Sequence, residues 1–511
     1  MPARAFAEWI GRSTVPLLRE AVARTAAVPG LSRAYRAVYE AQAVRATHAF
    51  ERMEGVAQLL VRRRPGAKIA PGLSDVDLVV VLRDDLDLGV ELELVRQGHT
   101  AISRINRGAP LLRDVHWVTE TELGAWMALD EPLVAGLAGE LRQSYLLQAH
   151  QRGWAARDER TTALRIATYL GMRAMDHLQR PWRVDRWLAA RTLDRSAKWI
   201  EAVRSQAAGV QVQVSDGRWA RREAGWYDVA CWLRHLEQVV SVSNALGPIE
   251  ERSPHPSISR ALPIARHFCA DARDWRAAVG AVLSVEGACE HDLRLLVVVD
   301  PDHPEAADTL GRIAARAAEV ALPRVLFSRW PSPVVVGPAL ARRADLLQWT
   351  ALEPIGRRRH GEVLFGEVPR SHTEERYLVR ALARDVAHVG TRVRNLLGHP
   401  LDDRAGAKWV DALNGTLGAA RTWLMDRTLA TRYRKDAPEP RTLERLLYDG
   451  SSAEGRRRLY ARTRRELDGL LVPLLDALAE LDRGASEPSQ DAPTGAGCGR
   501  DAGSPAADGV P

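Results

Sequence analysis

The chain has 511 residues, which is too long for one compact domain and predicts two or three. Hydrophobic residues make up 46% of it, as in ordinary folded proteins, which excludes a wholly disordered chain. The net charge of +7 comes almost wholly from arginine, because only four of the 72 basic residues are lysines. The arginines are interleaved with Asp and Glu, as on solvated helix faces, so the basic charge does not by itself indicate a nucleic-acid partner.

Signals for membranes, secretion and structural metals are missing from the sequence. The four cysteines form no C-x-x-C pair, which argues against a zinc site or a disulfide framework. The longest apolar runs are far shorter than the roughly 20 residues that a membrane-spanning helix needs, and the N-terminus lacks the apolar core of a signal peptide. We therefore expect a cytoplasmic protein with no membrane partner.

The apolar spacing along the chain predicts an α+β protein that is mostly helical overall, with a small mixed sheet near the N-terminus and extensive helical domains. Residues after 483 are rich in Gly, Ser, Pro and Ala and cannot bury enough surface to order. The expected units are a helical lead-in with a small α/β domain (1–128), a helical domain (129–286), a second α/β patch (287–370), a helical bundle (371–483) and a disordered tail (484–511).

The first α/β domain is predicted from three short apolar runs. Strands are expected near Gln58–Val61, Asp77–Leu82 and Asp114–Val118. Helical spacing between the last two predicts a helix over Leu92–Ile105. Strand, helix and strand in this order favour an α/β sheet.

Two aspartates mark the start of the second of these strands. Pro71 and Gly72 make a turn, and Asp75 and Asp77 follow it two residues apart. On a strand, such residues point to the same face, and two adjacent carboxylates repel unless a proton or a cation neutralises them. Oxygen ligands at this spacing suit Mg²⁺. The alternative is an exposed strand start that carries two solvated aspartates.

The run Ser74-Asp75-Val76-Asp77-Leu78 resembles the S-D-x-D signature of nucleotidyltransferases of the DNA polymerase beta superfamily. The resemblance implies a third carboxylate on a neighbouring strand, for which Asp114 is the candidate, and two Mg²⁺ ions held by the three carboxylates. It also implies transfer of a nucleoside monophosphate from ATP or another nucleoside triphosphate to a hydroxyl of a small molecule or a protein.

The resemblance breaks down before this signature. Where the family has Gly-Ser, this sequence has Arg62-Arg63. Arginine binds phosphate through its side chain but does not reproduce the close backbone approach that glycine allows. Arg62, Arg63 and Ser74 are thus the candidate nucleotide contacts. The departure favours an alternative, a catalytically degenerate nucleotidyltransferase-fold scaffold or nucleotide-binding protein.

The second α/β patch contains an echo of the first. The run from His291 to Asp300 is similar to the run from Ser74 to Arg83, with Arg294 where the second aspartate stands. A helix near Pro304–Val320 and strands near Arg324–Phe327 and Val334–Val336 are expected to follow. The alternative is an ordinary buried strand after polar residues. Further on, His360–Gly366 resembles the strand that often ends the catalytic domain of antibiotic nucleotidyltransferases.

A different function is suggested near residue 395. Arg394-Asn395-x-x-x-His399 resembles the R-[polar]-x-x-x-H motif of HEPN ribonuclease domains, and implies an RNA-cleaving or RNA-binding role. Arginine can stabilise a charged phosphorane and histidine can move a proton. The alternative is ordinary helix termination at Gly398-His399-Pro400, with the histidine near the helix C-terminus.

Overall fold

The protein is an α+β molecule that is mostly helical, with a small mixed sheet of three strands in its N-terminal part. No helix in the described part of the chain is long and apolar enough to cross a membrane. The computed structural model describes residues 17–61, 71–73, 76–107, 111–129, 159–180, 182–207, 222–243, 279–285, 294–325, 334–343, 346, 361–366, 375–398, 417, 420–421, 424 and 453–486.

The elements are numbered in chain order. The N-terminal half contains α1 (Pro29–Phe50), β1 (Val56–Val61), β2 (Val76–Leu82), α2 (Leu88–Asn106), β3 (Leu112–Thr119), α3 (Glu120–Ala128), α4 (Glu159–Leu178), α5 (Arg183–Ala207) and α6 (Trp226–Ser243). The C-terminal half contains β4 (Val279–Val285), β5 (Arg294–Val299), α7 (Ala306–Val325), β6 (Val334–Val336), α8 (Pro338–Ala341), β7 (Gly361–Gly366), α9 (Glu375–Gly398) and α10 (Ala453–Ser486).

The first sheet has the strand order β1-β2-β3 and confirms the three predicted strands. β1 pairs antiparallel with β2, and β2 pairs parallel with β3 after the crossover helix α2, where the Asp87 side chain caps the first turn. β2 is apolar on both faces because both are covered. Val76, Leu78, Val80 and Leu82 pack with α1 and α2, whereas Val79 and Val81 pack with α3, α9 and α10.

The second sheet has the strand order β6-β5-β4-β7. β4 pairs antiparallel with both β5 and β7, and β5 pairs parallel with β6. One hydrophobic core contains residues of α4, α5 and α6 together with residues of β5, α7, β6 and α8. The helices that follow the first sheet therefore share a core with the second sheet, across the predicted boundary at residue 286.

Helix α7 corrects one sequence prediction. The sequence predicts a strand near Arg324–Phe327, but Arg324 and Val325 are the last residues of α7; the other two residues lie outside the described part of the chain. The helix that is predicted near Pro304–Val320 propagates to its end at Val325, with Pro323 confined to the last turn. The β-branched Val325 is therefore part of the helix although it favours a strand. At the C-terminus, α10 runs to Ser486; the rest of the predicted tail lies outside the described residues.

Glu237 is a buried carboxylate that joins α6 to the start of α8. It accepts hydrogen bonds from the backbone N–H groups of Ala339 at 2.6 Å and Leu340 at 2.8 Å. Gly337 makes the contact possible, because a Cβ there would lie 2.2 Å from the Glu237 Cδ. Burial raises the pKa of Glu237 to about 7, against the opposing effects of the two N–H groups and Arg342.

This carboxylate predicts that the free energy of unfolding falls as pH rises from about 4.5 to about 7. The folded-state pKa of about 7 lies above the ordinary value of 4.5, so the folded protein keeps a proton that the unfolded chain has lost. The contribution is complete below the unfolded value and disappears as pH rises through 7; the full difference is about 3 kcal/mol. Urea unfolding of wild type and Glu237→Gln at the two pH values measures it. An equal fall in both proteins would contradict the prediction.

Candidate functional site at the start of β2 and β3

The candidate carboxylates lie at the N-terminal ends of β2 and β3. Asp77 is the second residue of β2 and is half-buried. Asp114 is the third residue of β3, although its side chain is outside the described part of the structure. The other candidates, Arg62, Arg63, Ser74 and Asp75, lie outside the described residues.

A β-bulge brings the two acidic positions together. The pairs on either side of it are Val76↔Leu112 and Leu78↔Val115. One residue of β2, Asp77, therefore lies opposite two residues of β3, Arg113 and Asp114. Neighbouring strands are about 4.8 Å apart, and bulges often occur beside active sites. The backbone alone thus makes Asp77 and Asp114 neighbours although they are distant in sequence.

Asp77 shares a face of the sheet with Val79 and Val81, by strand alternation. His116 is paired with Val79 and is half-buried. Its ring contacts the edge of the Trp126 ring, with centroids 6.0 Å apart. This contact packs His116 against helix α3. Among the residues that the structure describes, no group of three His, Cys, Asp or Glu side chains could hold a metal ion. Asp75 and the side chain of Asp114 lie outside those residues, so the predicted metal set stays a prediction.

Helix α9 covers the outer edge of β3 and supplies the hydrogen bonds that another strand would otherwise make. The Trp117 carbonyl accepts from Thr391 Oγ1 at 2.5 Å and from Arg394 Nη1 at 3.1 Å. The Val115 carbonyl accepts from Asn395 Nδ2 at 2.9 Å. Because Val115 directly follows Asp114, Asn395 fixes the backbone next to the bulge.

Arg394 is the centre of a buried ionic network between α9 and the first sheet domain. Its side chain is 0% exposed, and it pairs with Glu91 of α2 at 2.6 Å and with Glu122 of α3 at 2.5 Å. A second contact to Glu122 at 3.2 Å makes that pair bidentate. Gly390 leaves the space for this pair, since a Cβ there would lie 2.2 Å from Glu122 Oε1.

Two residues of α10 complete the network. The Tyr460 hydroxyl donates to Glu91 and accepts from Arg394 Nε at 2.8 Å. Arg464 lies 3.4 Å from Glu122 and 3.9 Å from Glu91. Two arginines thus balance two carboxylates. Burial raises the pKa of Glu91, but attraction to Arg394 and Arg464 and the hydrogen bonds from Tyr460 and Arg394 outweigh it, so the pKa lies below its ordinary value.

These contacts indicate that Arg394 stabilises the packing of α9 on the first sheet domain. Every hydrogen bond described for its guanidinium goes to Glu91, Glu122, Tyr460 or the Trp117 carbonyl, and the side chain has no exposed surface that an RNA phosphate could reach. His399, the other half of the HEPN-like motif, lies outside the described residues. The described half of the motif therefore favours helix packing over RNA chemistry.

The network was missed by sequence reasoning, although one part of it has a local signal. Thr119-x-x-Glu122 is a capping box: Glu122 N–H donates to Thr119 Oγ1 at 3.3 Å, and Thr119 N–H donates to Glu122 at 3.0 Å. Glu91 and Tyr460 carry no such pattern, because Glu91 lies 303 residues from Arg394 and 369 residues from Tyr460 in the sequence.

The chain matches no family model, no curated protein and no solved structure. Its function is accordingly inferred from the chemistry of its own residues.

Proposed function

We propose that the protein is a Mg²⁺-dependent nucleotidyltransferase that moves a nucleoside monophosphate from a nucleoside triphosphate to a hydroxyl acceptor. The observation that carries the proposal is the register of β2 with β3, which sets Asp77 opposite Asp114. The S-D-x-D resemblance implies a third carboxylate on a neighbouring strand, and β3 is a neighbour of β2 in the sheet.

The donor set fits the proposed metal. Carboxylate oxygens are hard ligands, and adjacent carboxylates at a sheet end favour a divalent cation over two uncompensated charges. Asp75, Asp77 and Asp114 would hold the ions. Bound Mg²⁺ would supply charge stabilisation for an in-line displacement at phosphorus.

The remaining roles fall to this chain's own residues. Asp114, beside the bulge, would take up the acceptor hydroxyl proton. Arg62 and Arg63 would bind the triphosphate by bidentate hydrogen bonds, and Ser74 would contact it at the strand start. The covered face of β2, where Val79 and Val81 pack against helices, would exclude water from one side of the site.

The alternative function is a nucleotide-binding scaffold that performs no transfer. Arg62-Arg63 in place of Gly-Ser supports it, because arginine does not allow the close backbone approach to phosphate that glycine allows. A scaffold requires only that the sheet and its covering helices fold.

The proposal is tested by label transfer from each of the four α-³²P nucleoside triphosphates, with purified protein and a small-molecule cell extract, in Mg²⁺ and in EDTA. We expect label on an acceptor or on the protein itself, with one preferred base, only in Mg²⁺. Thermal stabilisation by a triphosphate without any transfer would support the scaffold instead. Neither transfer nor stabilisation would overturn both.

Asn395 is expected to position Asp114 for metal binding. The substitution Asn395→Leu removes the donor to the Val115 carbonyl. We expect it to lower the free energy of unfolding by about 1 kcal/mol. It should also weaken Mn²⁺ binding about tenfold, because a residue that orients a metal ligand is lost. Manganese titration followed by electron paramagnetic resonance measures the affinity. The control is Thr391→Val, which removes a donor to Trp117, farther along the same strand. Equal affinity losses in the two variants would refute a specific role for Asn395.

A further inference from the structure

The two sheets repeat one arrangement. In each, two antiparallel strands are followed by a helix of about twenty residues and by a strand parallel to the second. The first sheet runs β1, β2, α2, β3 and continues into α3. The second runs β4, β5, α7, β6 and continues into α8.

The antiparallel pairings of the two sheets agree residue by residue. Each begins with one pair, skips one residue of the first strand in a bulge, and then continues through consecutive pairs. The first sheet pairs Val56↔Leu82, Gln58↔Val81, Leu59↔Val80, Leu60↔Val79 and Val61↔Leu78. The second pairs Val279↔Val299, Ala281↔Val298, Val282↔Val297, Leu283↔Leu296 and Ser284↔Leu295. A bulge shared at the same step is not dictated by strand pairing in general.

The parallel pairings agree under the same correspondence. The first sheet pairs Val79↔His116, Val80↔Trp117 and Val81↔Val118. The second pairs Leu296↔Val334, Val297↔Val335 and Val298↔Val336. The second unit has one extra residue between its second strand and its crossover helix, which begins at Leu88 in the first unit and at Ala306 in the second. The N-cap of the helix after the third strand is Thr119 in the first unit and Gly337 in the second.

Buried positions of the crossover helices also correspond. Leu92 and Val95 of α2 are buried, and the corresponding residues of α7, Leu310 and Ile313, are buried as well. The two units therefore share strand register, bulge, helix start and core positions. Separate folds that happened to have the same topology would not need to agree in all four.

The candidate functional positions do not correspond. Asp77 is replaced by Arg294, and the position of Asp114 is taken by Ser332 in the sequence. The segment between the first two strands has fourteen residues in the first unit and eight in the second, and it is the segment that carries Arg62 and Arg63. Of the carboxylates, Asp75 alone has an acidic counterpart, Asp292.

We infer that residues 279–341 are a degenerate internal copy of residues 56–123, and that the second copy has lost divalent-metal binding. Folding positions persist in both copies, whereas the acidic positions persist in one. Of the two copies, the first then keeps the metal centre of the proposed function, on which this part of the inference rests, at the start of β2 and β3. The second copy serves as a folded unit that shares a core with α4, α5 and α6.

The correspondence predicts that the lost centre can be rebuilt. In an Asp77→Asn background, Arg294→Asp with Ser332→Asp recreates the acidic set around Asp292. We expect about one additional Mn²⁺ per chain, with an affinity on the order of 10⁻⁴–10⁻³ M, in equilibrium dialysis. The control carries Arg312→Asp and Ser241→Asp, which make the same charge change outside the corresponding positions. The inference would be overturned if the rebuilt variant unfolds cooperatively, and is therefore folded, but binds no more Mn²⁺ than this control.

A second measurement uses the wild-type protein and does not depend on whether a variant folds. Fe²⁺ that occupies a divalent-metal site reduces added peroxide to a hydroxyl radical and hydroxide, the radical cleaves the backbone near the bound iron, and ascorbate reduces the resulting Fe³⁺ back to Fe²⁺. In the wild-type chain, we expect no cleavage near residues 294 and 332, and cleavage there would overturn the inference. Cleavage near residues 77 and 114 tests the proposed function separately. Its absence would count against nucleotidyl transfer, and metal binding by the rebuilt variant would still test the internal duplication.

Discussion

Asp77→Asn is expected to reduce nucleotide transfer by about a thousandfold or more, equivalent to ~4 kcal/mol of transition-state stabilisation. The substitution keeps the size and one oxygen of the side chain but removes the charge that would hold the metals. Initial rates of Mg²⁺-dependent label transfer measure the effect. Thermal melting of the variant checks that a loss of transfer does not come from unfolding.

The matched control is Asp85→Asn, at the opposite end of β2. Asp85 is exposed and pairs only with Arg83 among the contacts described for it, so the same charge change should leave transfer within about twofold of wild type. If Asp77→Asn retains transfer at the level of this control, Asp77 is not a metal ligand. The scaffold function would then explain the acidic strand start.

Arg394→Met is expected to destabilise the protein by about 3–5 kcal/mol, the usual cost of removing one member of a buried ion pair. The methionine fills most of the volume but leaves Glu91 and Glu122 buried without their main counter-charge. The hydroxyl of Tyr460 and the carbonyl of Trp117 also lose a donor. Denaturant unfolding followed by circular dichroism measures the change in the free energy of unfolding.

A control for charge loss alone is Arg96→Met on α2, where an exposed arginine pairs with Glu93 at 3.0 Å; this should cost less than about 1 kcal/mol. Combining Arg394→Met with Glu91→Gln and Glu122→Gln should recover part of the loss, because the uncompensated charges are gone. A loss for Arg394→Met no larger than for Arg96→Met would contradict the network's role. In wild type, the contribution of Glu91 is present at neutral pH and is lost as pH falls through its lowered pKa.

The local parts of the fold could be predicted from sequence, and the long-range parts could not. β2 and α2 were predicted because periodicity and a Pro-Gly turn are properties of short windows. The pairing of β2 with β3 followed from the strand–helix–strand order. The bulge opposite Asp77 was not predicted, because register depends on partners that no window contains.

Arg394 is a residue for which a local sequence pattern suggests a function that its long-range contacts do not support. Its position five residues before a histidine favoured an interpretation in RNA chemistry, but its environment depends on Glu91, which lies 303 residues away in sequence. The capping box at Thr119 and Glu122 is a local pattern that predicts the start of a helix. Arg294 was noticed as a substitution in an echo of the first motif, yet only the matched strand registers show how far the echo extends.

The distance between Glu91 and Arg394 has a consequence for synthesis on the ribosome. A chain grows at about 5–20 residues per second, so the 303 residues that separate them take about 15–60 s to translate. During that interval the face of the nascent first sheet that carries Val79 and Val81 lacks α9 and α10, and Glu91 and Glu122 lack Arg394. The intervening unit, with its own core, can complete its folding first. Nascent chains halted before α9 should therefore be held by chaperones through the face of Val79 and Val81, and released once α9 and α10 emerge.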